Sequence, residues 1–221
     1  MFRHLLKKNA IIPIILFFLF PLQIWGIDGT GMTFQIGVEK TLYKNLGIYL
    51  SEDIRPTRNF KEMGWFLFTA ELNYKITPHL KVGAAYMNLA RSGQADQLRN
   101  RYYIYVSGNY SFGELSISLR ERFQGTYRAK KEGNPTNYLR SMLKVSYNAG
   151  RFIPFAYIEP FNRAGSNHRF HTDKIRFSAG TDIKITGQHY LQIYYRYHIF
   201  NGVYDPINYQ NSFALCYFFH F

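Results

Sequence analysis

Only one cysteine, Cys216, occurs in the 221 residues. That excludes a disulfide framework and a cysteine-based metal centre. With no cysteine near residue 26, a lipoprotein anchor is excluded as well. Beyond residue 26 no apolar run approaches the roughly 20 residues of a spanning helix. The chain has no glycine-rich phosphate loop, since Gly31 and Gly37 belong to a strand and its entry. It also has no basic helix or clustered basic run, so a net charge of +13 does not mark a nucleic-acid surface. Nucleic acid is therefore not an expected partner, and nothing calls for a cofactor. Breaks between elements are too short for a plug domain. Large porins and plugged transporters, with roughly 16 or more strands, are excluded on the same ground.

The N-terminus carries the first positive signal. Arg3, Lys7 and Lys8 precede an almost purely apolar stretch from Ala10 to Trp25, and Gly26 suits the last residue of a removed segment. Residues 1–26 read as a signal peptide. A membrane anchor is the competing reading, but the apolar run is short for one. This segment holds three positive charges and no acid, which leaves +10 on residues 27–221. Those residues read as one domain.

That domain alternates polar and apolar residues in segments near 32–42, 46–54, 63–76, 80–89, 99–110, 114–127, 138–148, 152–161, 174–185, 189–199 and 209–221. Short breaks such as Lys44-Asn45, Thr77-Pro78-His79 and Ser111-Phe112-Gly113 carry turn residues. Longer breaks near 55–62, 90–98, 128–137, 162–173 and 200–208 alternate with them. Alternating short and long connections predict an all-β, antiparallel transmembrane barrel of about 10–12 strands, with short turns periplasmic and longer loops outside. A mean hydropathy of −0.25 fits, because half of each strand faces a polar lumen. The aromatic content of 19% suits interfacial girdles. Eleven segments is an odd number, and even counts are the bacterial norm, so 10 or 12 strands are favoured. If Lys44-Asn45 is periplasmic, the first strand starts on the outer side.

Parity assigns the faces. Phe66, Phe68, Ala70, Leu72 and Tyr74 share the outer face, opposite Trp65, Thr69, Glu71, Asn73 and Lys75. Ile104 and Val106 point out where Arg101 and Tyr105 point in, and Leu119 and Phe123 oppose Arg120 and Arg122. A charge facing lipid at midplane costs about 2–4 kcal/mol, which fixes each register. Glu121 falls on the outer face and is expected at the rim or beside a bulge. Around 153–161 both faces are apolar, and only Glu159 argues for one register.

The C-terminus closes on a stripe of Phe213, Leu215, Tyr217, Phe219 and Phe221. Such an edge would template aggregation in water. It resembles the C-terminal recognition strand of bacterial outer-membrane proteins, which implies the barrel-assembly machinery as a partner. A soluble barrel would instead place its apolar face inside. The terminal stripe, the leader and the charges on the other face favour a barrel in the bacterial outer membrane, touching lipid and lipopolysaccharide.

Three further stretches carry a family resemblance. They are Leu119-Arg120-Glu121-Arg122-Phe123-Gln124; Tyr138-Leu139-Arg140 followed by Pro154-Phe155 and Glu159-Pro160-Phe161; and Ile175-Arg176 with Gly180, then His189 to Arg196. Together they resemble a family of Gram-negative outer-membrane barrels defined by domain of unknown function 2490. The resemblance implies fold and membrane, and no activity.

The main candidate site is the set of inward charges: Arg101, Arg120, Arg122, Arg140, Lys144, Arg176 and Arg196, with Glu71, Asp182 and, in one register, Glu159. Rings of Arg and Lys favour anions in a pore. The competing and favoured reading is a ladder of paired Arg, carboxylate and Tyr groups that fills a narrow lumen. The resulting expectation is a non-enzymatic small barrel, either a structural or surface component or a narrow channel for small anionic solutes. A lipid-modifying hydrolase is the alternative. Tyr197-His198-Ile199-Phe200-Asn201 resembles the His-x-Ser-Asn stretch of lipid A deacylases, but Phe200 stands where the nucleophile belongs and cannot attack an ester. His198 is expected to be a lumen or rim residue. His168, His171 and Asp173 have a spacing that suits a metal, but with Arg169 and Lys174 beside them a solvated loop is expected. N-terminal sequencing of protein recovered from the envelope should begin at Ile27; a mature chain beginning at Met1 would refute the leader.

Overall fold

The computed structural model describes residues 30–56, 63–128, 134–165, 171–201 and 211–221. Among them there is no helix; every regular element is a strand. The strands are β1 (Thr30–Tyr43), β2 (Leu46–Arg55), β3 (Trp65–Thr77), β4 (Leu80–Arg91), β5 (Gln94–Phe112), β6 (Leu115–Arg128), β7 (Thr136–Tyr147), β8 (Phe152–Ala164), β9 (His171–Lys184), β10 (His189–Phe200) and β11 (Asn211–His220). Each pairs with its sequence neighbours, and β1 pairs with β11 to close a barrel.

The expected preference for 10 or 12 strands is corrected: among the described residues there are eleven. In a meander with an odd count, the first and last strands run the same way. Closure must then be parallel, and β1 and β11 are parallel, from Thr30 opposite Asn211 to Glu39 opposite His220. The other ten pairings are antiparallel. Thr30 thus lies at the end of the barrel that carries the longer connections, as the turn at Lys44-Asn45 required. At the opposite end, the Phe221 amide donates to the Glu39 carbonyl (3.0 Å) and the His220 amide to the Gln188 carbonyl (2.9 Å).

Two local expectations also change. The break at 90–98 is a two-residue turn at Ser92-Gly93, because Gly93 takes a left-handed φ of 70° and lets β4 fold straight back into β5. Strand β5 therefore extends over 19 residues. Glu121 sits midway along β6, in regular register between Val106 and Ser141, and not at a rim or bulge. The Ser141 hydroxyl, donating over 2.7 Å, gives its carboxylate a partner on the outer surface.

The faces otherwise follow parity. Phe68, Leu72, Ile104, Leu119, Ile193 and Phe213 are exposed on the outside, Ile104 at 59%. Water would penalise that belt at about 25 cal/mol per Å² of apolar surface. The residues that alternate with them point inward. Glu159 settles the ambiguous strand: odd-numbered residues of β8 face the lumen, and Glu159 is 1% exposed. Pairing between β7 and β8 skips from Arg140–Phe161 to Leu143–Ile158. The gap lies opposite Pro160, which has no amide hydrogen to give.

Two apolar clusters thicken the inner wall. Trp65, Leu67 and Leu89 pack together with Met87 against them, and Phe155, Tyr194, Ala214 and Cys216 pack with Tyr157 and Phe218. The parallel seam can be checked by chemistry. Gln35 is the register partner of Cys216, and both side chains point inward. Neighbouring strands bring such Cα atoms within disulfide range. Gln35→Cys should form a bond with Cys216 under mild oxidation, detectable by mass spectrometry of the peptides; failure would mean another closure.

Candidate functional site

Two cavities lie in the lumen where the inward charges gather. One, of about 680 Å³, is lined by residues of both walls, including Tyr49, Asp53, Glu71, Tyr103, Tyr105, Arg120 and Asp182. The second, of about 360 Å³, lies toward the longer connections and is lined by Arg55, Arg99, Arg101, Arg128, Arg163 and Lys174, with Asp173 the one acid among the described residues that line it. Arg55, Met87, Arg122, Arg140, Arg176 and Arg196 line both cavities and so form the waist between them.

Glu159 organises the waist. Its carboxylate accepts from Arg140 at 2.8 Å and Arg176 at 3.0 Å, and Arg120 lies 3.6 Å away. Arg140 also donates to Gln124 Oε1 (2.7 Å), and Arg176 Nε to His198 Nε2 (3.0 Å). Three guanidiniums share one buried carboxylate because β6, β7, β8 and β9 are consecutive and each aims an inward residue at the same height. Arg122 and Arg196 complete the cluster without a carboxylate within ion-pair distance among the described residues. The Arg122 guanidinium stacks over the Tyr103 ring at 4.0 Å, and its Nε has no hydrogen-bond partner. Arg196 donates to the Tyr194 hydroxyl. Arg140 and Arg176 lie over Phe161 at 4.2 and 4.8 Å. A guanidinium held over a ring gains about 0.5–2 kcal/mol, so aromatic faces supply part of what carboxylates do not.

The opposite wall is built by small residues. Gly83 and Ala85 are the inward positions of β4 between Asn73 and Tyr105 and between Glu71 and Tyr103. A Cβ on Gly83 would meet the Tyr105 ring at 2.5–2.8 Å. With that space free, both tyrosines lie across β4. Tyr103 Oη donates to Glu71 Oε2 (2.9 Å) and Tyr105 Oη to Glu71 Oε1 (2.6 Å).

The inward placement expected for the candidate charges holds for all of them. Arg122, Arg140, Arg176 and Arg196 converge at the waist, and Arg120 lies beside them in the larger cavity. Arg101 lies apart, in the second cavity, with Nε on Thr126 Oγ1 (2.9 Å). Lys144 and Asp182 pair with each other at 3.6 Å, and Gln192 also donates to Asp182. Phe213, Leu215, Tyr217, Phe219 and Phe221 face outward as expected, Phe221 at 50% exposure. His198 is a lumen residue, 2% exposed, with Phe200 edge-on to its ring. His171 pairs with Asp173 at 2.6 Å, while His168 lies outside the described residues. Among the described residues no three potential metal ligands cluster.

Several lumen residues escaped the sequence reading. Arg55 and Arg163 fell in breaks, because strands β2 and β8 run further than their apolar faces suggested. Asp53 pairs with Arg55 at 3.2 Å. The signal was there: both continue the inward period-two series of their strands.

A match to the family model described as "Protein of unknown function (DUF2490)" spans residues 30–205. The chain belongs to the DUF2490 family. No curated protein matches it. Among solved structures, this DUF2490 barrel is similar to the NanC porin (TM-score 0.54, 13% identity, covering 82% of this chain and 91% of that one). It also matches the KdgM porin in complex with disordered oligogalacturonate (TM-score 0.47, 12% identity, 73% and 81% covered). The outer-membrane expressed OmpT of Vibrio cholerae matches at a TM-score of 0.40, with 10% identity and 69% and 53% covered. At these identities the NanC likeness shows the fold.

Removing one partner from a buried ion pair leaves uncompensated charge and costs about 3–5 kcal/mol. Glu159→Gln should therefore lower the temperature at which the folded barrel loses its fast gel mobility, whereas Asp182→Asn, at a more exposed pair, should change it little.

Proposed function

We propose that this DUF2490 barrel sits in the bacterial outer membrane and passes small anionic solutes. Its outward belt would face acyl chains, its terminal aromatic strand would meet the barrel-assembly machinery, and its basic loop-end cavity would face lipopolysaccharide and the medium. The observation that carries the reading is the arginine cluster where two cavities meet: Glu159 holds Arg120, Arg140 and Arg176, and Arg122 and Arg196 lie beside them without a carboxylate of their own among the described residues.

The arginines paired with Glu159 leave space beside them. Three guanidiniums are tied down by Glu159 and define the bore. Arg122 and Arg196 keep charge available to a passing anion. The cavity at the loop end, with Asp173 the one acid beside its arginines and Lys174 among the described residues, concentrates anions before the waist. Field focusing of this kind raises local anion density and weakens with salt. The volumes suit small solutes.

Purified protein in planar bilayers should give a small, anion-selective conductance whose selectivity falls as salt rises. The double variant Arg122→Gln, Arg196→Gln should move the reversal potential toward cations without abolishing insertion. A large unselective conductance, or cation selectivity in the parent chain, would overturn the proposal.

A further inference from the structure

Glu71 differs from the other carboxylates that face the lumen. Asp53 has Arg55, Asp182 has Lys144, and Glu159 has three arginines. Among the described residues Glu71 makes no ion pair, and its two hydrogen-bond partners are the neutral hydroxyls of Tyr103 and Tyr105. A carboxylate has about four lone-pair sites, so two tyrosines leave it with acceptor capacity toward the cavity. Arg122 is its counterpart. The guanidinium lies 4.0 Å over the centroid of that same Tyr103 ring, 6.0 Å from the Tyr105 ring, and Nε is without a partner. Both groups line the 680 Å³ cavity.

Tyr103 therefore acts as a spacer. Its hydroxyl holds the anion and its face holds the cation, so the two cannot collapse into a salt bridge. The cost of two unneutralised charges is offset when one molecule satisfies both. We infer that Glu71, Tyr103 and Arg122 form a binding subsite for small zwitterions, molecules that carry a carboxylate and an ammonium a few bonds apart. The carboxylate accepts from Arg122, and the ammonium donates to Glu71. A simple anion finds Arg122 but meets Glu71 as a repulsive neighbour, and a simple cation meets the arginines of the waist. Gly83 and Ala85 belong to the device, since they give the tyrosines room to reach Glu71.

This subsite deepens the solute-channel reading and rests on it for access to the lumen. The test uses the full chain refolded in detergent, with glycine, 4-aminobutyrate, acetate and methylammonium as probes in saturation-transfer NMR. At least one zwitterion should bind ten-fold or more tightly than acetate and methylammonium. Glu71→Gln should reduce its affinity to that of acetate, and Arg122→Gln to that of methylammonium. If Glu71→Gln fails to fold, Tyr103→Phe keeps the ring under Arg122, removes a hydroxyl from Glu71, and should still weaken the preference several-fold. Equal affinities for all four probes, or a preference untouched by these variants, would overturn the inference. Bilayer currents on the same preparation separate the two ideas: anion conduction without zwitterion preference sinks the subsite alone, and zwitterion preference without conduction sinks the channel alone.

Discussion

A sheet that ends in an open edge leaves a row of backbone donors and acceptors unpaired, and closure is the constraint on which everything in this barrel depends. Eleven strands close only through a parallel seam, and the seam between β1 and β11 supplies it. Parallel bonds are slanted and slightly weaker per residue than antiparallel ones. The bond from the Phe221 amide to the Glu39 carbonyl extends the lower end of that seam. With the sheet closed, side-chain parity divides the molecule into an apolar outside and a charged inside, and the charged inside becomes a site.

Inside, aromatic rings and hydroxyls do as much as opposite charges. Glu159 restrains three guanidiniums, but Arg122, Arg196 and Glu71 depend on tyrosines. A lumen neutralised throughout by ion pairs would be filled and inert. One held open by neutral partners keeps charge facing its cavities. Small residues on β4 make that possible, because bulk at Gly83 would drive Tyr105 off Glu71.

Much of this was legible in the residues. Period-two alternation placed every candidate charge on the inner face, since a midplane charge facing lipid is costly enough to fix a register. Where both faces were apolar, around Ile153–Phe161, the sequence left one clue, and Glu159 proved to be the buried carboxylate that three arginines share. Alternation says nothing about which inward residues meet across the barrel. Arg101 and Arg122 look alike in sequence but lie in different places, one in the loop-end cavity and one at the waist. Nor does it fix strand ends: Arg55 and Arg163 sit beyond the apolar stripes yet remain paired, with Trp65 and Tyr138. Glu121 was misplaced because its partner, the Ser141 hydroxyl, lies on the next strand, invisible until the two strands are laid side by side.

The odd number of strands has an architectural consequence. A meander with an even count returns its two termini to one rim. Here Thr30 opens on the rim that bears the longer connections, and Phe221 lies at the rim of tight turns. A tag joined directly ahead of Thr30 and a tag joined after Phe221 would decorate opposite mouths of the same molecule. The barrel is a polar object with a distinguishable head and tail, and an affinity label at either end reports which mouth it occupies.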